Sequence, residues 1–291
     1  MIASNIIGGL GNQMFQFACG HALARRLGQP HAICTDQFDR YKVHDFQLDS
    51  VFSIDTPELK SEERDRLLGW RGYPVVRQII AKAEWSSLTP KNWLQEASLR
   101  YCDEINTVDS NCYLHGYWQS WRYFEDCADE IRQIFKFHNN ISDENLEILS
   151  ILNQGPSISV HVRRGDYFHK SNKILNCLEE NYYLAGLKML TNRFPGSKIF
   201  FFSDDPLWVR DNFSDYVSDA YIIDHNIGKN SYWDMMLMSR ADHNIIANSS
   251  FSWWGAWLNT NKGQVVIAPK NWFLGAADKC SDLIPPDWIR I

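Results

Sequence analysis

A chain of 291 residues with 45% hydrophobic and 14% aromatic content is long for one domain and comfortable for two, each able to bury a sizeable core. The formal net charge of −6 argues against a surface built for nucleic acid or anionic membranes, so any phosphate it binds is bound locally. Seven cysteines, odd in number and nowhere spaced as Cys-x-x-Cys, fit reduced thiols in the cytoplasm better than a disulfide frame or a zinc site.

The sequence begins on a strand, Ile2 to Ile7, which leaves no room ahead of it for a secretory leader, and no apolar run approaches the roughly 20 residues of a membrane helix. A glycine turn follows, Gly8-Gly9-Leu10-Gly11-Asn12. The helix behind it runs to Leu27, with Met14, Phe17, Ala18 and Ala22 at helical spacing, and Gly28 closes it. His31 to Thr35 is a second strand, so the opening reads as a βαβ unit. The turn lacks both the third glycine of a dinucleotide fingerprint and the Gly-Lys-Ser/Thr ending of a phosphate loop. It marks a place where a ligand or another backbone comes close, with Asn12 and Gln13 placed to hydrogen-bond it.

Residues 56–100 carry charged helical pieces from Glu58 to Leu68 and a stretch punctuated by Trp85, Pro90 and Trp93, which reads as an insertion or loop rather than a regular layer. Tyr113 to Trp118 reads as a strand and Trp121 to Phe137 as an amphipathic helix. The polar run His138 to Glu144 divides a domain of residues 1–140 from one of residues 141–291, and Ser142 is placed to cap the next helix.

Beyond that boundary strands and helices alternate regularly. Strands are expected at 158–163, Lys198–Phe202, Tyr221–Ile223, Asn244–Ala247 and Val265–Ala268; helices are expected at 179–192, Pro206–Phe213, Tyr232–Ser239 and Phe251–Leu258. Such alternation predicts a parallel sheet flanked by helices. Each strand ends in a polar cluster: Arg163-Arg164-Gly165-Asp166, Ser203-Asp204-Asp205, Asp224-His225-Asn226, Asn248-Ser249-Ser250 and Pro269-Lys270. Ligands of open parallel sheets bind beyond the carboxyl ends of the strands, so these clusters line one rim.

The arginine pair is the sharpest signal. Arginine stays charged at any working pH and offers a planar fork of donors to phosphate oxygens, so Arg163 and Arg164 suit a diphosphate, although a surface salt-bridge pair would read the same way. His161 sits on the strand itself, as a packed residue or as a partner of the ligand. Asp204 and Asp205 precede Pro206 and read as a helix cap or as a nucleoside contact. In Asn248-Ser249-Ser250-Phe251-Ser252-Trp253-Trp254, the hydroxyls of Ser249, Ser250 and Ser252 and the first N–H groups of a helix gather where an anion would sit; ordinary capping is the alternative.

Together the segments Gly8 to Gln16, His161 to Tyr167 and Asn248 to Trp257, with Phe202-Ser203-Asp204-Asp205-Pro206 and Gly116-Tyr117-Trp118-Gln119-Ser120, resemble the α-1,2-fucosyltransferases of glycosyltransferase family 11. The likeness spans nearly the whole chain. It implies an α/β fold of the GT-B type, two Rossmann-like domains facing across a cleft, with the acceptor on the first and GDP-fucose on the second. It also implies inverting transfer of L-fucose from GDP-β-L-fucose to the 2-hydroxyl of a terminal galactose, without a metal or other cofactor. The donor would then be held by His161, Arg163, Arg164, Asn12, Gly11, Asp204, Asn248, Ser249, Ser250 and Ser252. Tyr117, Trp118 and Trp121 are candidates to stack on the acceptor, with core packing as the alternative for each. Inversion asks for a base on the acceptor hydroxyl, and Asp166 and Asp36 are the two candidates. An acceptor carried on a lipid would bring the enzyme to a membrane surface without a span.

Overall fold

The computed structural model describes residues 1–41, 43–83, 91–98, 100–138, 140–165, 177–213, 216, 219–273 and 282–291. The chain divides into two compact units, Met1–Lys136 and Phe137–Ile291.

In the first unit β1 (Ile2–Asn5), α1 (Leu10–Leu27) and β2 (His31–Cys34) form the expected βαβ opening. Gly28 closes α1 in the left-handed conformation at φ 60°, its N–H returning to the carbonyls of Ala24 and Arg25. After the short α2 (Leu48–Val51) come α3 (Ser61–Leu68), α4 (Pro74–Ala83), β3 (Trp93–Gln95), β4 (Cys112–His115) and α5 (Ala128–Ile134). The sheet order is β2-β1-β4-β3 and every pairing is parallel. Residues 56–100 are therefore no mere insertion. They contribute the edge strand β3, paired Trp93 to Tyr113, and the helix α4, which sends the fully buried Arg77 against the sheet. A three-residue strand and an arginine on a buried helix face offer sequence periodicity too little to register.

Two further expectations change. Only 128–134 of the predicted 121–137 helix is α-helical, preceded by 3-10 turns at Trp121–Tyr123 and Glu125–Cys127. Tyr123 and Phe124, adjacent in the chain, are both fully buried, a demand that one regular stripe of a 3.6-residue period does not meet. The strand predicted to reach Trp118 stops at His115, because the chain turns at Gly116 and Trp118 takes a left-handed φ of 55°.

The second unit runs α6 (Asp143–Leu152), β5 (Ser157–Val162), α7 (Glu180–Arg193), β6 (Lys198–Ser203), α8 (Pro206–Asn212), β7 (Ala220–Ile223), α9 (Tyr232–Met238), β8 (His243–Ile245), α10 (Ser250–Trp257), β9 (Val266–Ala268) and β10 (Ile289–Arg290). Ser142 caps α6 by accepting the Asn145 N–H. Six parallel strands stand in the order β10-β9-β8-β5-β6-β7. All six residues of β5 are buried, as a strand covered on both faces requires. Ile158, Val160 and Val162 join Tyr183, Leu187, Leu190, Phe201 and Val209 in one apolar core. The alternate residues Ser157, Ser159 and His161 face the other way, where Ser159 Oγ accepts from Asn244 Nδ2 at 2.6 Å.

Candidate functional site

The strand order places the site. From β5 the chain builds outward through β6 and β7, then crosses to β8, β9 and β10 on the opposite side, so the direction of winding reverses between β5 and β8. A crevice opens at such a reversal, beyond the carboxyl ends of the two strands. Arg163 and Arg164 follow β5 there, and Asn248-Ser249-Ser250 follow β8 and open α10.

The arginines are held from the next strand. Val162 pairs with Ser203, so the residues that follow, Arg163 and Asp204, emerge side by side. Asp204 accepts the Arg164 N–H at 2.8 Å through Oδ1 and the Gly165 N–H at 3.0 Å through Oδ2, and the same Oδ2 lies 3.0 Å from Arg163 Nη1. Gly165 has little room to be anything else, since a Cβ there would come within 2.9 Å of Asp204 Oδ2. Arg164 lays its guanidinium 3.9 Å from the centre of the Trp208 ring, with Nε 3.6 Å from Asp205 Oδ2. Its side chain is only 14% exposed, so this cation is sheltered and oriented rather than waving in solvent. An ion pair at one edge of a fork with five donors orients a guanidinium more than it consumes it.

Asp205 is also the N-cap of α8, accepting the Trp208 N–H at 3.1 Å with Pro206 in the first turn. Asp204 therefore has a different task from the cap or nucleoside contact that its sequence offered: its oxygens are occupied with the loop that carries the arginines. Asp166 lies outside the described residues.

His161 is 5% exposed and packs its ring 5.8 Å from that of Phe251 on α10. Burial, with Arg163 adding to it, pushes its pKa down to about 3, so the ring is neutral at working pH. Ser249 caps α10, its Oγ accepting the Phe251 N–H at 3.3 Å, and Ser250 is the first helical residue. Asn248 is buried beneath this turn and donates Nδ2 to the Trp272 carbonyl at 3.1 Å. Ser252 is fully buried, and its hydroxyl donates back to the carbonyls of Ala247 and Ser249; it belongs to the helix interior, which removes it from the surface a donor could touch. Trp253 and Trp254 are fully buried packing residues.

The rim also holds a group that the motifs did not reveal. Beyond β7, Asn226 Nδ2 donates to Asp234 Oδ1 and to Asn145 Oδ1, both at 2.9 Å, and His225 Nε2 lies 3.0 Å from the same Asn145 oxygen. Burial pushes the Asp234 carboxyl up to about 7 against the opposing pull of Asn226. The sequence held one hint, a single acid in the otherwise apolar helix Tyr232-Trp233-Asp234-Met235-Met236-Leu237-Met238.

In the first unit, Gly11 is buried in the first turn of α1, and beside it Asn12 Oδ1 accepts from Gln119 Nε2 at 2.7 Å. Gly8 adopts φ 90°, where a side chain would be strained and its Cβ would stand 2.9 Å from Asn12 Nδ2. Tyr117 is 44% exposed and Trp121 half-buried, so both offer ring surface. Trp118 does not. At 1% exposure, edge-on to Tyr123 at 5.5 Å, it is core, and the stacking expected of it is withdrawn. Asp36 is likewise reassigned. Its Oδ2 meets the guanidinium of the buried Arg77 and lies 3.3 Å from Arg64 Nη1, so a carboxylate offered as a base is committed to two cations. Arg77 also reaches Tyr113 Oη at 2.6 Å and Cys34 Sγ at 3.1 Å, a network that ties α4 to β4 and to the end of β2.

Among the described residues no group of three or more His, Cys, Asp or Glu side chains could hold a metal ion, and no helix is long and apolar enough to cross a membrane.

With this geometry in place, comparison with known proteins is specific. The family described as Glycosyl transferase family 11 matches residues 1–291. An α-1,2-colitosyltransferase of Escherichia coli is 33% identical over 296 residues, covering 100% of this chain and 99% of that protein. Galactoside α-(1,2)-fucosyltransferase 2 of Hylobates lar is 26% identical over 261 residues, covering 87% of this chain and 68% of that protein. Among solved structures, NodZ α-1,6-fucosyltransferase soaked with GDP-fucose superposes with a TM-score of 0.53 at 19% identity, over 88% of this chain and 91% of that one. The fold class is accordingly α/β with a parallel sheet in each unit, of the GT-B type.

Proposed function

The chain belongs to glycosyltransferase family 11 and is a glycosyltransferase; from that premise we propose that it transfers L-fucose from GDP-β-L-fucose to the 2-hydroxyl of a terminal galactose, with inversion to an α linkage. The observation that carries this reading is the arginine pair at the winding reversal, with Arg164 sheltered, following the strand next to the one that leads into the capped start of α10. Cleaving the bond from fucose C1 to the phosphate oxygen leaves an oxocarbenium-like sugar and places new negative charge on GDP. Arg163, Arg164 and the positive end of α10 stabilise that charge more than they stabilise the intact donor, which lowers the barrier rather than merely tightening binding. Two fixed guanidinium groups supply the countercharge a divalent ion would otherwise bring, so transfer in excess chelator is the expected result.

The diphosphate then sits among Arg163, Arg164, Ser249 and Ser250, with His161 and Asn248 setting the walls. Tyr117 and Trp121 offer ring surface to the acceptor, Asn12 positions the acceptor or the diphosphate, and Asp166 takes the acceptor's proton, since Asp36 is engaged by Arg64 and Arg77. Incubation with GDP-fucose and a panel of β-galactosides, followed by NMR of the new linkage, tests the reaction. Absence of an α-1,2 product across the panel would overturn it.

The likeness to a colitosyltransferase supports a second reading, in which the donor is GDP-colitose. Colitose is fucose without its 3-hydroxyl, so the ratio of kcat/KM for the two donors decides. A site built to bond that hydroxyl rejects the deoxy sugar by far more than a merely apolar pocket would.

A further inference from the structure

Glu96 lies one residue beyond β3 and belongs to none of the motifs already described. Its carboxylate is turned onto the chain leaving β4: Oε2 accepts the Tyr117 N–H at 2.7 Å, Oε1 accepts the Trp118 N–H at 3.0 Å, and the Gln119 N–H also bonds to it. Its own N–H donates to the His115 carbonyl at 2.9 Å. The approach is close enough to demand a glycine, for a Cβ on Gly116 would stand 2.4 Å from that of Glu96. The turn it holds carries strain, because Trp118 at φ 55° is a bulky residue in the left-handed region.

Such a conformation persists only where its surroundings fix it. Here the buried Trp118 ring, Gln16 Nε2 donating to the Gly116 carbonyl at 3.1 Å, and the Glu96 carboxylate do so together. Burial pushes the Glu96 carboxyl up to about 7, against the pull of the three N–H donors. A largely sunken acid is a costly way to close a turn, which points to a turn whose exact placement matters. What that placement fixes is visible: Tyr117 projects outward, 44% exposed, and Gln119 reaches the glycine turn to hold Asn12.

We propose that Glu96 is a positioning residue for the acceptor. By gathering three successive backbone donors, it sets Tyr117 and the Gln119–Asn12 pair as one preformed surface that receives the galactoside. The acceptor role rests on the function proposed above; the clamp itself does not.

Two variants test it in the full-length enzyme. Glu96→Gln keeps the shape but turns an amide nitrogen toward a backbone donor, and Glu96→Asp is one methylene too short to reach all three. Each is expected to raise the acceptor KM on the order of tenfold or more, with the donor KM and GDP affinity within about twofold of wild type. Amide hydrogen exchange at Tyr117, Trp118 and Gln119 is expected to quicken by a similar factor, while β1 and β4 stay protected. Unchanged exchange at those amides would overturn the clamp. A freed turn with an unchanged acceptor KM, or an equal loss in donor and acceptor terms, would overturn its role in positioning. If the unmutated enzyme transfers no sugar to any galactoside, the acceptor assignment falls with the proposed function, and exchange still decides the clamp.

Discussion

Asp204→Asn asks how much of the arginine pair's usefulness is supplied from the neighbouring strand. The aspartate makes three contacts at 2.8–3.0 Å, two with backbone N–H groups and one with Arg163. Asparagine keeps one carbonyl acceptor and places an amide nitrogen against the remaining donors, so about two of the three are lost. Hydrogen bonds to a charged group contribute roughly 1.5–3 kcal/mol each. The Asp204 side chain is 24% exposed, so water replaces part of what is removed, and a destabilisation of about 2–4 kcal/mol is expected. For a unit of this size that corresponds to a Tm lower by about 8 °C in calorimetry.

The effect on rate should be larger in proportion. A loosened Arg164–Gly165 backbone moves both guanidinium groups off the departing phosphate, and misplacement by about 1 Å costs on the order of a hundredfold. Initial-rate release of GDP from GDP-fucose, measured well below the new Tm, reads this directly. Asp224→Asn is the control, because its pair with Arg210 at 3.1 Å has both partners nearly half exposed, and it should shift stability by less than about 1 kcal/mol with kcat unchanged. An Asp204→Asn enzyme that melts early but turns over within threefold of wild type would refute the argument that this carboxylate preorganises the cations.

Arg164→Lys retains the charge but not the planar fork that stacks on Trp208, and kcat is expected to fall on the order of a hundredfold with circular dichroism unchanged; near-normal turnover would argue against the assigned role. Asp36→Asn leaves the buried Arg77 without its anion, so it should lower stability by about 3–5 kcal/mol while kcat stays within a few-fold, and a loss of a hundredfold or more in kcat on folded protein would restore Asp36 as the base. Stability should also fall as pH drops from about 6.5 toward 4. His31 and His161 are pushed down to about 3 and His115 to about 4, mainly by burial. Each is neutral in the native state and protonated when unfolded, so its contribution is present above its unfolded pKa and is lost as pH falls toward its folded one. Glu96 and Asp234, both raised to about 7, act in the opposite sense. Stability from the two carboxyls is present below their unfolded pKa and lost as pH rises through about 7, so the three histidines outweigh them by about one proton, or roughly 1.4 kcal/mol per pH unit. A flat urea-unfolding profile between pH 4 and 6.5 would contradict that balance.

The strand–helix alternation after Ser157, the glycine turn, and the caps at Ser142, Asp205 and Ser249 are local, set by periodicity and by side chains that bond their own backbone within a turn, and so they could be read from the chain alone. The arginine pair was legible for a related reason, since a strand's end in a parallel sheet is a place defined by sequence. The contacts of Asp36, Asp204, Trp118 and Glu96 were not. Each depends on a partner tens of residues away, Asp36 on Arg77 across 41 positions and Asp204 on Arg164 across 40, brought close only by strand register and helix packing. Burial and electrostatic pairing act through space and not along the chain. A carboxylate that is free and one already clamped between two guanidinium groups are therefore spelled the same way in sequence, and only the tertiary structure tells them apart.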